Sequence, residues 1–370
     1  MAISSLYINR NVQSCPEVEA IKQRLRLPAT IVDDDTPVYS YVAQHHDPVE
    51  KGKEVLYLTE NRGTFIRDCP GTTSYTCCGY KILHIGTFCT MDCSYCILQA
   101  YFHPPVLQYF VNHDMLVKEL DSHFSKNSEN QTISRIGTGE FTDSLVWEAC
   151  SDLTERLVNR FSRQERAVLE LKTKTANIGK LKHLNHNRKT IIAWSFNTPP
   201  VIASEERKTA SLKSRLEAAA QCQSWGYPLA FHFDPLVVYD GCENDYIDTI
   251  RQIFTRVSAE NIVWISLGTF RFMPGLKEII KHRFPESKII YGEFIQGLDR
   301  KMRYFKPVRT ALYKTIIETI REFSPDVLIY FCMEDDEVWS KSMGFLPSEK
   351  EGLAAMLDKS AITHCGLASC

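Results

Sequence analysis

The sequence has no long apolar run and no marked charge of either sign. Nowhere do about 18 apolar residues follow one another, as a membrane-spanning helix requires, and the start, MAISSLYINRNVQSCPEVEA, lacks the basic and apolar regions of a secretory signal. The formal net charge over 370 residues is -2, so a nucleic acid would have to bind a local basic patch. We expect a cytoplasmic protein with no membrane contact.

The sequence also lacks the even, regularly spaced set of cysteines that is typical of a disulfide-linked protein. Its 13 cysteines are odd in number and clustered, which argues against a disulfide framework and for reduced thiols, some of them metal ligands. We interpret Cys222 and Cys242 as small buried side chains. The remaining isolated cysteines have no assigned role: Cys15, Cys69, Cys365 and Cys370.

After Gly79, short runs rich in Val and Ile alternate with segments at helical spacing. The helix candidates include 143–161 and 210–225. This alternation predicts an α/β fold with a partial (β/α)6 TIM-like barrel, and a doubly wound open sheet is the alternative. The six candidate strands are 81–86, 132–137, 167–172, 190–196, 229–233 and 261–267.

Three parts of the chain are predicted around this pattern. Residues 1–78 form an N-terminal extension, 79–287 the partial barrel, and 288–370 a C-terminal α+β part with a candidate substrate-contacting hairpin. The C-terminal part is predicted to contain strands at 288–293 and 327–332, a charged and aromatic stretch at 298–309, and a helix at 310–323.

The segment GTFCTMDCSYCILQA, residues 86–100, places three cysteines within eight positions of the loop after the first strand. That loop lies at the carboxyl end of a barrel, where such folds carry their chemistry. A structural zinc site takes four ligands, usually as two pairs, and no clean second pair follows. A [4Fe–4S] cluster takes one thiolate per iron, so C-x3-C-x2-C leaves one iron open. A zinc site or a purely structural cluster is the alternative.

This motif in this loop resembles the radical S-adenosylmethionine (SAM) enzymes. The resemblance implies that Cys89, Cys93 and Cys96 hold the cluster and that SAM chelates the open iron. Electron transfer from the cluster then gives a 5′-deoxyadenosyl radical that abstracts hydrogen, so an electron donor such as flavodoxin or ferredoxin is expected.

The second strand ends in Gly137-Thr138-Gly139-Glu140, which is similar to the element that holds the amino group of SAM in these enzymes. Glycines let the backbone approach a ligand closely, and a carboxylate accepts hydrogen bonds from an ammonium. The alternative is a simple strand-to-helix turn. Other polar residues at later strand ends are further candidates for the cofactor site: Lys174, Ser195, Asn197 and His232.

Over most of residues 67–332 the chain resembles the spore photoproduct lyase family, which uses a radical to split a methylene-bridged thymine dimer in DNA. The shared stretches are CPGT (69–72), CCGYKIL (77–83), CTMDCSYCILQAYF (89–102), FRF (270–272) and DRKMRYFK (299–306). The resemblance implies DNA as the substrate and Tyr95 as a radical relay. It implies that four residues contact the substrate: Arg271, Arg303, Tyr304 and Phe305.

Two departures from that family concern the return of hydrogen to the product. Glu140 stands where the lyases carry the cysteine that donates this hydrogen, and Ile97 replaces the second tyrosine of a proposed relay. Cys77 and Cys78 are the candidate replacement thiols, and deoxyadenosine itself is the other candidate donor.

Three functional hypotheses follow. The leading one is a radical SAM lyase acting on a thymine photoproduct or a related base lesion in DNA. The second is a radical SAM enzyme of the same fold that modifies an RNA base, a peptide or a small molecule. The third is a noncatalytic iron–sulfur or zinc protein that binds nucleic acid.

Overall fold

The computed structural model describes residues 3–71 and 75–368. Thr72, which ends the CPGT stretch, and Cys370 lie outside the described residues. The strands are β1 Ser5–Asn9, β2 Ala29–Val32, β3 Val55–Thr59, β4 Ile66–Asp68, β5 Lys81–Leu83, β6 Gly86–Thr87, β7 Asp92–Cys93, β8 Leu107–Phe110, β9 Ser134–Gly137, β10 Ala167–Thr173, β11 Thr190–Ser195, β12 Glu206–Arg207, β13 Leu229–Leu236, β14 Ile262–Thr269, β15 Arg271–Phe272, β16 Phe294–Gln296, β17 Met302–Tyr304 and β18 Ile329–Phe331. The α-helices are α1 Pro16–Leu25, α2 Thr36–Ala43, α3 Pro48–Gly52, α4 Leu98–Tyr101, α5 His113–Asn130, α6 Leu153–Phe161, α7 Pro199–Glu205, α8 Leu212–Ser224, α9 Cys242–Arg256, α10 Pro274–Arg283, α11 Lys306–Phe323, α12 Asp336–Met343 and α13 Leu353–Cys365.

The largest sheet has eight strands in the order β18-β14-β13-β11-β10-β9-β5-β4. All neighbours pair in parallel except β4, which runs antiparallel at one edge. Every residue of β11 and β14 is buried, as expected where helices cover a parallel sheet on one face and side chains fill the other. The six predicted strands are the consecutive strands β5, β9, β10, β11, β13 and β14, so the predicted partial barrel is confirmed.

The predicted strand at 288–293 is wrong. The backbone N–H of Tyr291 donates to the carbonyl of Lys288 at 3.0 Å and closes a turn. Ile289 and Ile290 are both buried although they are adjacent, whereas neighbouring side chains of a strand point to opposite faces. The strand in this region is β16, which begins at Phe294.

The predicted helix at 143–161 is interrupted. The Asp143 carboxylate accepts the N–H groups of Leu145 at 2.9 Å and of Lys174 at 2.8 Å, which holds the chain in a turn tied to β10. Only a short 3-10 turn, Val146–Ala149, follows before α6 begins at Leu153. Aspartate often bonds to nearby backbone in this way, so the helical spacing of the apolar residues did not reveal the break.

Side chains from several strands fill the inside of the curled sheet. The Glu170 carboxylate on β10 accepts the indole N–H of Trp264 at 3.1 Å and the hydroxyl of Tyr80 at 3.3 Å. His232 on β13 lies 3.4 Å from the same carboxylate and 2.6 Å from the hydroxyl of Ser266 on β14. The interior is therefore a packed polar core beneath the carboxyl ends of the strands.

A second sheet, in the order β2-β1-β3-β8-β6, joins the N-terminal residues to the segment that follows β5. The first four of these strands are parallel and β6 is antiparallel. The division of the chain at residue 78 stays a prediction. No helix among the described residues is long and apolar enough to cross a membrane.

A small antiparallel sheet, β15-β17-β16, follows β14. Its strand β15 begins at Arg271, two residues after β14 ends at Thr269, so the sheet lies near the carboxyl ends of the barrel strands. Phe294 stacks on Tyr304 with ring centroids 4.5 Å apart. Of the stretch 298–309 predicted to contain the substrate-contacting hairpin, Met302–Tyr304 form the central strand β17 of this sheet, and the residues from Lys306 onward belong to α11.

Candidate active site

The three predicted cluster cysteines lie together in the loop after β5. Cys89 and Cys93 are buried, and Cys96 is partly exposed. Burial raises the pKa of Cys89 to about 12 and raises the pKa of Cys93 as well. The backbone N–H of Cys96 donates to the carbonyl of Cys93 at 3.2 Å, so these two cysteines share one tight turn.

The backbone of this loop is held by polar side chains from outside it. Lys53 donates to the carbonyls of Cys89, at 3.2 Å, and of Met91. The amide of Gln99 donates to the carbonyls of Cys93 at 3.0 Å and Ser94 at 2.9 Å. These bonds fix the backbone of the loop that carries the cysteines.

A second layer of charged residues supports this arrangement. Arg283 on α10 donates to Gln99, to Asp92 at 3.1 Å and to Asp47 at 2.7 Å. Asp92 also lies 3.6 Å from the Lys53 ammonium. These contacts join the N-terminal helices, the cluster loop and α10 into one support.

The residues of the loop fit an iron–sulfur cluster. Within the described parts of the chain, no three His, Cys, Asp or Glu side chains converge as ligands of a single metal ion, whereas in a [4Fe–4S] cluster each thiolate binds a different iron. The N–H of Met91 donates to the sulfur of Cys89 at 3.4 Å, the kind of bond that stabilises a ligating thiolate. The positive charge of Lys174 opposes the rise in the pKa of Cys93 and suits an anionic cluster.

Tyr95, the predicted radical relay, precedes Cys96 in the sequence, and its side chain is buried. Its hydroxyl donates to the carboxylate of Glu206, which lies 2.5 Å from Arg215. The ammonium of Lys174 lies over the Tyr95 ring, 5.7 Å from its centroid. The structure therefore brings two predicted site residues, Tyr95 and Lys174, beside the cluster loop.

The predicted SAM element follows β9 directly. A Cβ atom added to Gly137 would lie 1.6 Å from the hydroxyl of Tyr80, and one added to Gly139 would lie 2.9 Å from the Cβ of Lys172. Glycine is thus required at both positions by the packing of the barrel interior. Glu140 lies 3.7 Å from the Lys172 ammonium and remains about one-third exposed, so its carboxylate can still accept hydrogen bonds from a ligand.

The other predicted cofactor residues contact the protein itself. The carbonyl of Ser195 accepts a hydrogen bond from Arg215 at 2.8 Å. Asn197 donates to the carbonyl of Pro235 and accepts from the hydroxyl of Tyr246, both at 2.8 Å. His232 lies inside the barrel, below the level at which β13 ends. A role of these side chains in binding SAM stays a prediction.

The candidate replacement thiols lie in the segment before β5. Cys77 is exposed and accepts the N–H of Gly79 at 3.4 Å, and Cys78 is partly buried. The N–H of Thr76 donates to the carbonyl of Glu334 at 3.4 Å, which joins this segment to the region after β18. The thiols are therefore close to the far edge of the curled sheet, where β18 ends.

The four predicted substrate contacts differ in exposure. Arg271 forms a two-point ion pair with Asp234, with both distances 3.1 Å. Arg303 is buried: it pairs with Asp299 at 2.8 Å, and Tyr304 beside it is buried as well. Phe305 is 46% exposed. Phe305 is thus the member of this set that faces solvent, and the other three shape the surface around it.

Sequence reasoning missed several residues of the site. Glu206 and Arg215 form the buried pair beside Tyr95, and Lys172 pairs with Glu140. The alternation of Glu170 and Lys172 along β10 was the available signal, because polar residues two apart on a buried strand point to one face. Cys332, at the end of β18, contacts Arg271 at 3.3 Å, and no motif identified it.

The sequence of this chain matches one known protein family. Residues 71–326 match the family model described as spore photoproduct lyase. The chain is 25% identical over 257 residues to a spore photoproduct lyase of Clostridium acetobutylicum, covering 69% of this chain and 72% of that protein. It is 26% identical over 244 residues to the spore photoproduct lyase of Bacillus subtilis, covering 64% of this chain and 68% of that protein.

Solved structures show the same fold. A spore photoproduct lyase complexed with dinucleoside spore photoproduct superimposes with a TM-score of 0.77 at 19% identity, covering 89% of this chain and 99% of that one. A variant of spore photoproduct lyase superimposes with a TM-score of 0.80 at 20% identity over the same shares. The partial barrel and its flanking parts are therefore shared with these proteins.

Proposed function

The chain belongs to the spore photoproduct lyase family, and we propose that it is a radical SAM lyase that reverses a thymine photoproduct or a related base lesion in DNA. The observation that carries this proposal is the loop of three clustered cysteines at the carboxyl end of a partial barrel that matches the family over most of its length. When bound, the cluster and SAM supply a 5′-deoxyadenosyl radical that abstracts hydrogen.

Cys89, Cys93 and Cys96 would hold the cluster. Gly137, Gly139 and Glu140 would hold the amino group of SAM, because Glu140 is a partly exposed carboxylate at the end of β9. Lys172 is a firmly charged partner of Glu140: burial alone would lower the pKa of Lys172, but Glu140 and Glu170 raise it above its usual value. The remaining proposed contacts to SAM are Lys174, Ser195, Asn197 and His232.

Tyr95 is proposed to relay hydrogen near the cluster. Burial raises the pKa of its hydroxyl well above the usual value, and Glu206 raises it further, so the phenol stays protonated at neutral pH. The Glu206 carboxylate accepts the hydroxyl hydrogen in a hydrogen bond and thereby orients the phenol.

The surface formed by β15, β17 and β16 is proposed to contact DNA. It exposes Phe305 at 46%, Leu298 at 68% and Ile295 at 45%, and Arg300 adds an exposed cation. Exposed apolar side chains can occupy the space left by a base that is turned out of the stack, and cations contact phosphates. Arg303 and Tyr304 would support this surface from below.

Electrons are proposed to enter beside Cys96. Among the three cluster cysteines it is the one that is not fully buried, and the next residue, Ile97, is 37% exposed. A small electron carrier such as flavodoxin or ferredoxin could approach this side closely.

A second candidate function is a radical SAM reaction on another substrate. Two ion pairs near the carboxyl ends of the barrel strands favour it: Glu140 with Lys172, and Asp234 with Arg271. These charged groups suit a substrate more polar than a thymine dimer.

Anaerobic reconstitution separates these functions. Under the proposal, the reconstituted protein binds about four irons per chain, cleaves SAM to 5′-deoxyadenosine under reduction, and releases thymine dinucleotide from dinucleotide spore photoproduct. Deoxyadenosine without thymine release would favour the second function. A Cys93→Ala protein that still cleaves SAM would contradict the assignment of the cluster.

A further inference from the structure

Strand register places the side chain of Cys332 on the inner face of the barrel. Tyr330 on β18 pairs with Ser266 on β14, and Ser266 pairs with His232. Register partners in a parallel sheet point to the same face, and the Ser266 and His232 side chains meet inside the barrel at 2.6 Å. Cys332 is two residues beyond Tyr330, so it points to the same face at the carboxyl end.

Cys332 lies beside the ion pair of Arg271 and Asp234. The guanidinium of Arg271 donates to the Cys332 sulfur at 3.3 Å while it pairs with Asp234. Cys332 is partly exposed. A thiol therefore stands at the carboxyl end of the barrel, in contact with an arginine that the resemblance to the lyases implies as a substrate contact.

The backbone around Cys332 is firmly held. Met333 adopts a left-handed conformation with φ of 59°, which is strained for a residue with a side chain, and Arg303 donates to its carbonyl at 3.0 Å. The next residue, Glu334, forms a two-point ion pair with Arg309, with both distances 3.1 Å. Three arginines thus fix three consecutive residues, which gives the Cys332 sulfur a defined position.

We propose that Cys332 is the thiol that returns a hydrogen atom to the product radical; this inference rests on the proposed function. The S–H bond of Cys332 breaks, the hydrogen atom forms a C–H bond on the thymine radical, and a thiyl radical remains. One electron from the low-potential donor that reduces the cluster, together with one proton from solvent, restores the thiol.

The protonation state of Cys332 suits this step. Burial raises its pKa well above the usual value, Arg271 opposes the shift and Asp234 adds to it. The thiol therefore keeps its hydrogen at neutral pH, whereas a thiolate would have none to give. Two other thiols of the region provide comparisons: Cys77 is exposed, and Cys69 directly follows the edge strand β4.

Hydrogen transfer from a thiol can be followed in deuterium oxide. Thiol hydrogens exchange with solvent and the carbon-bound hydrogens of deoxyadenosine do not, so the wild-type protein should release thymine dinucleotide carrying one deuterium. We expect Cys332→Ala to lower deuterated product per deoxyadenosine by about tenfold or more. Cys332→Ser keeps the size and the bond to Arg271, and should show the same loss because an O–H bond is too strong to donate. Cys69→Ala, Cys77→Ala and Cys78→Ala should retain the label.

Substrate binding gives a readout that does not depend on turnover. In reconstituted protein with SAM, Cys332→Trp should weaken the binding of dinucleotide spore photoproduct about fivefold or more, whereas Cys77→Trp, at an exposed position, should leave binding unchanged. Unchanged binding in Cys332→Trp, or deuterium lost only in another cysteine variant, would overturn the inference. If Cys332→Ala repairs the lesion as well as the wild-type protein does, only the inference about Cys332 is contradicted. Wild-type protein that releases no thymine contradicts the proposed function as well.

Discussion

Tyr95 donates its hydroxyl hydrogen to Glu206, and Glu206 in turn forms a fully buried ion pair with Arg215 at 2.5 Å. Arg215 also donates to the carbonyl of Ser195 at 2.8 Å. The chain of contacts runs from the cluster loop through β12 and α8 to the end of β11. It orients the phenol of Tyr95 in the cluster loop, with the hydroxyl hydrogen directed at a carboxylate that accepts it in a hydrogen bond.

Replacing Tyr95 with phenylalanine tests the relay. The variant loses a hydrogen bond to a charged group, so we expect a loss of about 1.5–3 kcal/mol in the free energy of unfolding. We also expect thymine released per deoxyadenosine to fall about tenfold. The control is Tyr109→Phe. Tyr109 lies on β8 of the second sheet, and the change removes a buried hydroxyl that is hydrogen-bonded to Ser151. An equal product ratio in the two variants would show that the Tyr95 hydroxyl is only structural.

Replacing Glu206 with glutamine should destabilise the protein strongly. The change removes one partner of a pair in which both side chains are 1% exposed or less and leaves the Arg215 charge buried, which costs about 3–5 kcal/mol. Urea unfolding measures this loss. Glu217→Gln is the matched control: Glu217 lies 3.8 Å from Lys213 on the surface of α8, and its loss should cost less than about 1 kcal/mol. Similar costs in the two variants would contradict this account of the Glu206 pair.

Replacing Lys53 with methionine should impair assembly of the cluster. Lys53 fixes the carbonyls of Cys89 and Met91, and supporting contacts around metal ligands typically contribute about 10–100-fold in affinity. We expect less iron and sulfide per chain after reconstitution. Lys51→Met is the control, because Lys51 pairs with Glu54 at 3.2 Å away from the loop. Full iron content in Lys53→Met would show that the loop does not need this support.

The strands of the barrel could be read from the sequence because they are short and almost wholly buried. In β11 and β14 every residue is apolar or small enough to pack, so the apolar runs coincide with the strands. The strand predicted at 288–293 failed for the same reason: Ile289 and Ile290 form an apolar run, but both are buried in a turn. Apolar residues alone do not distinguish these cases.

The candidate site was predictable only where one short segment carries it. Cys89, Cys93 and Cys96 lie within eight positions, and a single motif reveals them. Other residues of the site come from far along the chain. Glu206 reaches Tyr95 where β12 pairs antiparallel with β7, Arg215 reaches Glu206 from α8, and Cys332 reaches Arg271 across 61 positions. Such contacts depend on strand order and register, which no local pattern encodes.

His84 is a buried histidine without a hydrogen-bond partner for either ring nitrogen among the described residues. It lies between Phe110 and Phe141, with ring centroids 4.9 Å away from each. Burial lowers the pKa of His84 to about 4, and the charge of Arg67 lowers it further. The folded protein therefore keeps His84 neutral, while the unfolded chain protonates it below its usual pKa of about 6.5.

The free energy of unfolding should therefore decrease as the pH is lowered from about 6.5 to about 4. In that window the unfolded state binds one more proton than the folded state at this site, which lowers the free energy of unfolding by about 1.4 kcal/mol per pH unit. His84→Leu removes the proton site and should reduce the slope by this amount, so that about 2 kcal/mol of the loss between pH 6.5 and pH 5 disappears. Urea unfolding across this range measures it, with exposed His45→Gln as the control. Equal slopes in His84→Leu and the wild-type protein would mean that His84 is protonated in the folded state.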